Sequence, residues 1–222
     1  MTHGTLLGDM VPRFPSVGKN RSGPAVPNPP AGPADSRDDL AAIEAVLRGD
    51  QRRFAELVDR YQRAAWRLAF GLVGNMEDAK ELSQNSFVKA YRSLHRFRGQ
   101  SRFSTWFYRI VVNECRNFQR WKLRRPQTES LFDLLDDSQP VPEGTDPGPN
   151  PRDAAERKEL SRMISDAIQK LPVQQKIAFV LHRLNGLPLE ESARVMGVRE
   201  GTVKAHLFRA QERLKSILGG PR

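Results

Sequence analysis

The chain has 222 residues and a net charge of +10 at neutral pH, from 36 Lys and Arg against 26 Asp and Glu, with a single cysteine. That length accommodates one or two domains with a buried core, and the basic balance favours a polyanionic partner such as nucleic acid. A lone Cys115 excludes an internal disulfide, no apolar run approaches the roughly 20 residues needed to cross a bilayer, and the amino terminus lacks a signal peptide's apolar segment, so a cytosolic protein is expected.

Residues 1–37 are rich in Pro and Gly, as in PAVPNPPAGPADS, and without sustained periodicity they are expected to form a disordered extension. Helical patterning begins with DDLAAIEAVLRGD, which Asp38 or Asp39 can cap and Gly49 can stop. Asp50 can cap QRRFAELVDRYQRAAWRLAFGLVG, where Phe54, Leu57, Val58, Tyr61, Ala65 and Leu68 recur at three and four residues. Asn75 can cap MEDAKELSQNSFVKAYRSLHRF, and Ser101 or Ser104 a fourth helix running through STWFYRIVVNECRNFQRW. Cys115 lies inside that last apolar pattern, which predicts a packed thiol.

From Pro126 to Pro151 the chain turns acidic and proline-rich, the composition of an interdomain linker. Its carboxylates, Asp133, Asp136, Asp137, Glu143 and Asp146, either solvate the segment or form an acidic strip able to occupy a cationic nucleic-acid channel. A further helical block runs over 152–218, and no strand-like alternation competes with it. The expected fold is all-α, with helical domains at 38–125 and 152–218 joined by the flexible linker 126–151.

The second domain ends in LEESARVMGVREGTVKAHLFRAQERLK, two short helical patterns about a glycine. Gly197 suits a left-handed helix end, and Pro188 the first position of the helix before it. At about 100° per residue, Val203, Leu207, Ala210 and Leu214 share a narrow face, and Lys204, Ala205, Phe208 and Arg209 lie away from it. That is a helix-turn-helix layout. Its outward set either enters a major groove, with Arg to a guanine edge and Lys to phosphate, or is the solvated face of an amphipathic helix. His3, His95, His182 and His206 are scattered, no zinc spacing occurs, and no glycine-rich phosphate loop or nucleophile elbow is present. No metal, cofactor or enzymatic activity is expected.

DAKELSQNSFVKAYRSL and FRGQSRFSTWFYRIVVNECRNF, followed by LPVQQKIAFVLHRLNGLPLEESARVMGVREGTVKAHLFRAQERL, resemble the two conserved regions of a bacterial extracytoplasmic-function sigma factor of the sigma-70 family. The resemblance covers roughly 38–125 and 152–218. It implies a dissociable RNA polymerase subunit whose first domain binds the clamp helices and melts the minus-ten element. Its second domain, near the polymerase flap, reads the minus-thirty-five element as duplex. By the same resemblance Asp78, Leu82, Gln84 and Phe87 match the polymerase-binding pattern, with Asn85 and Ser83 departing from it. Phe97, Arg98, Ser101 and Asn113 match minus-ten readers, and Lys89 and Arg102 steer phosphate. For Asn113 the alternative is a buried structural hydrogen bond. Phe103, Trp106, Phe107, Ile110 and Val111 follow helical spacing and are expected in the core. Gly201 and Thr202 approach phosphate at a helix amino terminus, and Lys204, Ala205, His206, Phe208 and Arg209 line the groove-facing surface, with His206 where arginine is frequent. Ser192 stands where the family is usually aliphatic. An anti-sigma factor is a further implied partner.

A DNA-binding regulator that never joins polymerase and a ribosome-associated RNA-binding protein are the rival readings of a basic helical chain. Deleting residues 1–35 is expected to leave polymerase binding and basal transcription intact, checked by co-purification and a run-off assay on the truncated chain.

Overall fold

The computed structural model describes residues 37–124 and 151–219. The expected extension and linker therefore fall outside the described residues, apart from Arg37 and Pro151. The described elements are helical: α1 Arg37–Leu47, α2 Phe54–Val73, α3 Met76–Ser93, α4 Phe103–Arg124, α5 Pro151–Gln169, α6 Val173–Phe179, α7 Leu189–Met196 and α8 Glu200–Leu218. Short 3₁₀ turns occupy Gln51–Arg53 and Leu94–Arg96, and a π-turn extends α6 over Val180–Leu184.

In the first unit α2, α3 and α4 pack around Leu57, Tyr61, Leu68, Leu82, Phe107 and Val111, all buried. The stripe on α2 that the three-and-four spacing marked supplies one wall. Phe87 packs 4.5 Å from Phe107 between ring centroids, and Tyr61 meets Phe103 edge-on at 5.4 Å, the offset geometry that aromatic quadrupoles favour. Cys115 is enclosed here, and burial, reinforced by the Glu114 carboxylate, pushes its thiol up to about 12. It is a packing group, as its sequence position suggested.

Several caps differ from expectation. The chain is already helical at Arg37, and Asp39 caps nothing: it is fully buried, accepts a 2.6 Å hydrogen bond from the Tyr61 hydroxyl and pairs with Arg60. A carboxylate so placed anchors α1 to α2 because removal from water is tolerable only when it is paired. Asp50 precedes a 3₁₀ turn without a side-chain cap bond, and α4 starts at Phe103 with Ser104 buried in its first turn. Asn75 does cap α3, accepting from the Asp78 N–H at 3.0 Å.

The second unit builds its core from Ile168, Leu171, Ile177, Leu181, Val203 and Leu207. The π-turn widens the end of α6, and Asn185 closes it by donating Nδ2–H to the Val180 carbonyl at 3.0 Å. Pro188 sits one residue before α7 with ψ 152°, outside the helix where it was expected as first residue.

The two units pack against each other, which no periodicity foretold. Gly71, buried in α2, lets the π-turn approach so closely that a Cβ there would lie 2.7 Å from Val180 Cγ1. Beside it, Lys176 donates to Gln169 Oε1 at 2.8 Å, and Gln169 donates to the Gly71 carbonyl at 3.2 Å. Across the same boundary Arg102 pairs with Glu191 at 2.8 Å, and Arg109 donates to the Arg194 carbonyl.

Asp39→Ala is expected to cost about 3 kcal/mol in chemical unfolding, the low end for breaking a buried pair, because Arg60 keeps some solvent. Cys115 in the native protein is expected to resist alkylation at pH 8 and to react on unfolding, read by mass spectrometry over a urea series.

Candidate nucleic-acid interface

The carboxyl-terminal surface follows from how α8 divides its sides. Val203, Leu207, Ala210 and Leu214 are buried, whereas Gly201, Thr202, Lys204, Ala205, Phe208 and Arg209 are exposed. Phe208 is 58% exposed. Gly197 joins α7 to α8 in the left-handed conformation, at φ 69° and ψ 35°, and the Val198 N–H returns to the Ala193 carbonyl at 3.1 Å. Lys204 pairs with Glu200 at 2.8 Å, but with both side chains nearly half exposed the pair is weak and readily exchanged for a phosphate. His206 is half-buried and its Nδ1 is enclosed without a hydrogen-bond partner, so it belongs to the edge of this surface. Ser192 of α7 is fully buried, its hydroxyl donating to the Leu187 carbonyl at 3.5 Å.

The second surface runs from the 97–102 loop along α4. Phe97 is half-buried, 5.9 Å from Phe103 and 5.5 Å from Trp106 between ring centroids. Arg98 is exposed beside Gly99, whose φ of 68° turns the loop, and Ser101 is half-buried. Trp106, Ile110 and Asn113 follow at helical spacing along one side of α4. Phe103, Phe107 and Val111 are in the core as expected, but Trp106 and Ile110 are only half-buried and border this strip. Asn113 is exposed, which removes the buried structural hydrogen bond as its alternative role.

Lys89 reaches across from α3 to Glu114, 2.6 Å away, and is less free to meet phosphate than its sequence position implied. Together with Arg92, Ser93, Ile110 and Asn113 the pair lines a shallow cleft of about 330 Å³. Arg102 is likewise engaged, by Glu191 of α7. Glu114 and Glu191 are the partners of these cations that sequence reading missed. Glu114 adjoins Asn113 and could have been found from that adjacency, whereas Glu191 is brought in by tertiary packing alone.

The four residues of the polymerase-binding pattern divide by burial. Leu82 and Phe87 are in the core, Gln84 is exposed, and Asp78 is half-buried in the first turn of α3, 3.8 Å from Lys122. Gln84 and the edge of Phe87 border a larger groove of about 1160 Å³, whose walls include Arg63, Trp66 and Arg67 of α2 and Ile164 of α5.

Comparisons with known proteins agree with this two-unit arrangement. Residues 57–125 match the family description Sigma-70 region 2, and residues 161–214 match Sigma-70, region 4. The ECF RNA polymerase sigma-E factor of Haemophilus influenzae is 37% identical over 185 residues, spanning 82% of this chain and 96% of that one. The RNA polymerase sigma-H factor of Pseudomonas aeruginosa is 35% identical over 183 residues, covering 81% and 93%. Among solved structures, CnrH in complex with the cytosolic domain of CnrY superposes with a TM-score of 0.61 at 24% identity, over 83% of this chain and 99% of that one. The sigma factor RpoE bound to the anti-sigma factor NepR from Bartonella quintana gives 0.58 at 22% identity, over 76% and 98%. With both sigma-70 regions present in order, and with relatives this similar along nearly their whole length, the chain belongs to the extracytoplasmic-function sigma factors of the sigma-70 family.

Proposed function

We propose that this chain is an alternative sigma factor that recruits core RNA polymerase to a limited promoter set, holding the minus-thirty-five element as duplex and the minus-ten element as opened strand. The observation that carries the reading is the outward side of α8, where Lys204, Ala205, Phe208 and Arg209 stand exposed over a fully packed inner stripe. A helix with small and cationic groups on its open side and its amino-terminal turn uncovered suits a major groove and the phosphates flanking it. Asn113, Phe97, Arg98 and Ser101 serve the opened strand, with Arg102 as a counter-charge once Glu191 releases it and Lys89 as one from its place beside Glu114. Gln84 and Asp78 offer polar contact to the clamp helices, while Leu82 and Phe87 hold α3 in place from inside.

The protein performs no covalent chemistry of its own and acts in the cytoplasm, where its polymerase partner resides. Among the described residues no helix is long and apolar enough to cross a membrane, and no cluster of side chains suits a metal ion. An anti-sigma factor restrains it. The solved structure of similar fold in which the sigma factor RpoE is bound to the anti-sigma factor NepR supports that partner class.

The reading also requires the two units to part. The elements their names place at minus ten and minus thirty-five lie about 25 base pairs apart, or roughly 85 Å at 3.4 Å per pair. Units joined through Gly71 and Val180 cannot reach both at once.

Transcription from genomic fragments by core polymerase, with and without this protein, tests the proposal directly. New start sites preceded by a shared pair of elements are the expected result, and their absence rejects it. Arg209→Ala is expected to weaken promoter binding by about 1–3 kcal/mol and to relax preference at one minus-thirty-five position. Gly71→Cys combined with Val180→Cys is expected to stop transcription when oxidised and to recover it in dithiothreitol, because a disulfide there keeps the units paired.

A further inference from the structure

The cleft between α3 and α4 contains a group that a strand-binding surface should avoid. Opened DNA brings phosphates, and Lys89, Arg92 and the Asn113 amide suit them or the acceptor edges of bases. Glu114 does not: it is the one carboxylate in the lining, and its charge opposes the strand. Nor is it a freely solvated surface acid. Its side chain is only 13% exposed, and it is held by Lys89 at 2.6 Å while Lys89 remains 55% exposed. The floor beside it is Ile110, half-buried and apolar, which gives a base ring a dry surface to lie on. Ser93 donates its hydroxyl hydrogen to the Lys89 carbonyl at 2.6 Å, a bond within the last turn of α3.

A carboxylate only accepts hydrogen bonds, and with about four lone-pair sites it keeps capacity after meeting Lys89. Its complement in DNA is a base edge that donates. Cytosine, adenine and guanine each carry an exocyclic amino group, and a carboxylate accepting from the cytosine amino group is a known form of base readout. Thymine has no such group and turns carbonyl oxygens outward on both sides of its one N–H, so it meets the carboxylate with repulsion. An extruded base is read through this edge.

We infer that Glu114 is a specificity-determining residue for the opened strand, admitting an amino-bearing base to the Lys89–Glu114 cleft and excluding thymine. This rests on the promoter-opening reading above. Glu114 contacts the base directly, and Lys89 holds the carboxylate in place and offsets its charge against the strand.

The test uses holoenzyme and fluorescent single-stranded oligonucleotides carrying the minus-ten element of a promoter mapped by the transcription experiment, with each position varied through the four bases. Wild type is expected to show one position at which thymine binds about five- to a hundred-fold more weakly than the best base, the range of one good base-edge contact. Glu114→Gln, whose amide can donate to a thymine carbonyl, should reduce that penalty to less than about two-fold with duplex minus-thirty-five preference unchanged. Equal weakening for all four bases, or an unchanged thymine penalty, overturns the inference and leaves Glu114 a structural partner of Lys89. A second measurement needs no substitution: at that position, replacing the preferred base by its analogue without the exocyclic amino group should cost wild-type holoenzyme a similar factor. No loss there overturns the inference even if the Gln variant fails to fold. If wild-type holoenzyme cannot distinguish the minus-ten strand from a scrambled one, it is the promoter-opening reading that fails.

Discussion

Tyr61 sits where three helices have to agree. Its ring lies against Phe103, Phe107 and Tyr108 of α4, and its hydroxyl reaches the buried Asp39 of α1, which Arg60 neutralises. The aromatic contacts fix the rotation of α4 about its own axis, and the hydrogen bond fixes where α1 crosses α2. Once α4 is turned so that Phe103 and Phe107 face Tyr61, helical geometry leaves Trp106, Ile110 and Asn113 on another side. The surface proposed for the opened strand is thus set by a core contact. Phe97 is carried along through Phe103, so the loop and the helix present one continuous strip.

The same logic explains what could be seen in the sequence. Wherever a candidate side chain stands opposite a regular apolar stripe, as Lys204 and Arg209 stand opposite Val203, Leu207 and Ala210, spacing alone separated inside from outside. Gly197 and Asn75 were legible because left-handed backbone and an unpaired helix terminus each demand particular residue types. Asp39 was misread for a related reason: an acid near a helix start has the local signature of a cap, and only the tertiary fold shows that Tyr61 and Arg60 claim it instead. Asn113 was ambiguous because Val111, Val112 and Cys115 lie close to it in sequence while α4 turns it away from them in space.

Ion pairs between distant positions left no trace. Lys89 and Glu114 are 25 residues apart and Arg102 and Glu191 are 89 apart, and nothing in either neighbourhood names its partner. These pairs alter the reading of the cations most, since an arginine or lysine assigned to phosphate by composition is already bound to a carboxylate. In a chain of net charge +10 such carboxylates matter more than their number suggests. They decide which cations are already paired before any DNA arrives.

Gly71 gives the pairing of the two units an adjustable character. A glycine inside a helix sacrifices up to about 1 kcal/mol of helix propensity relative to alanine, and here the sacrifice permits a contact with Val180 that a single methyl group would disturb. Helix stability and unit pairing are therefore set against each other at one position. A change of 1.4 kcal/mol in either shifts a two-state population about tenfold. The readiness with which such a factor presents itself to polymerase can accordingly drift by small substitutions around this contact while every DNA-reading residue stays the same.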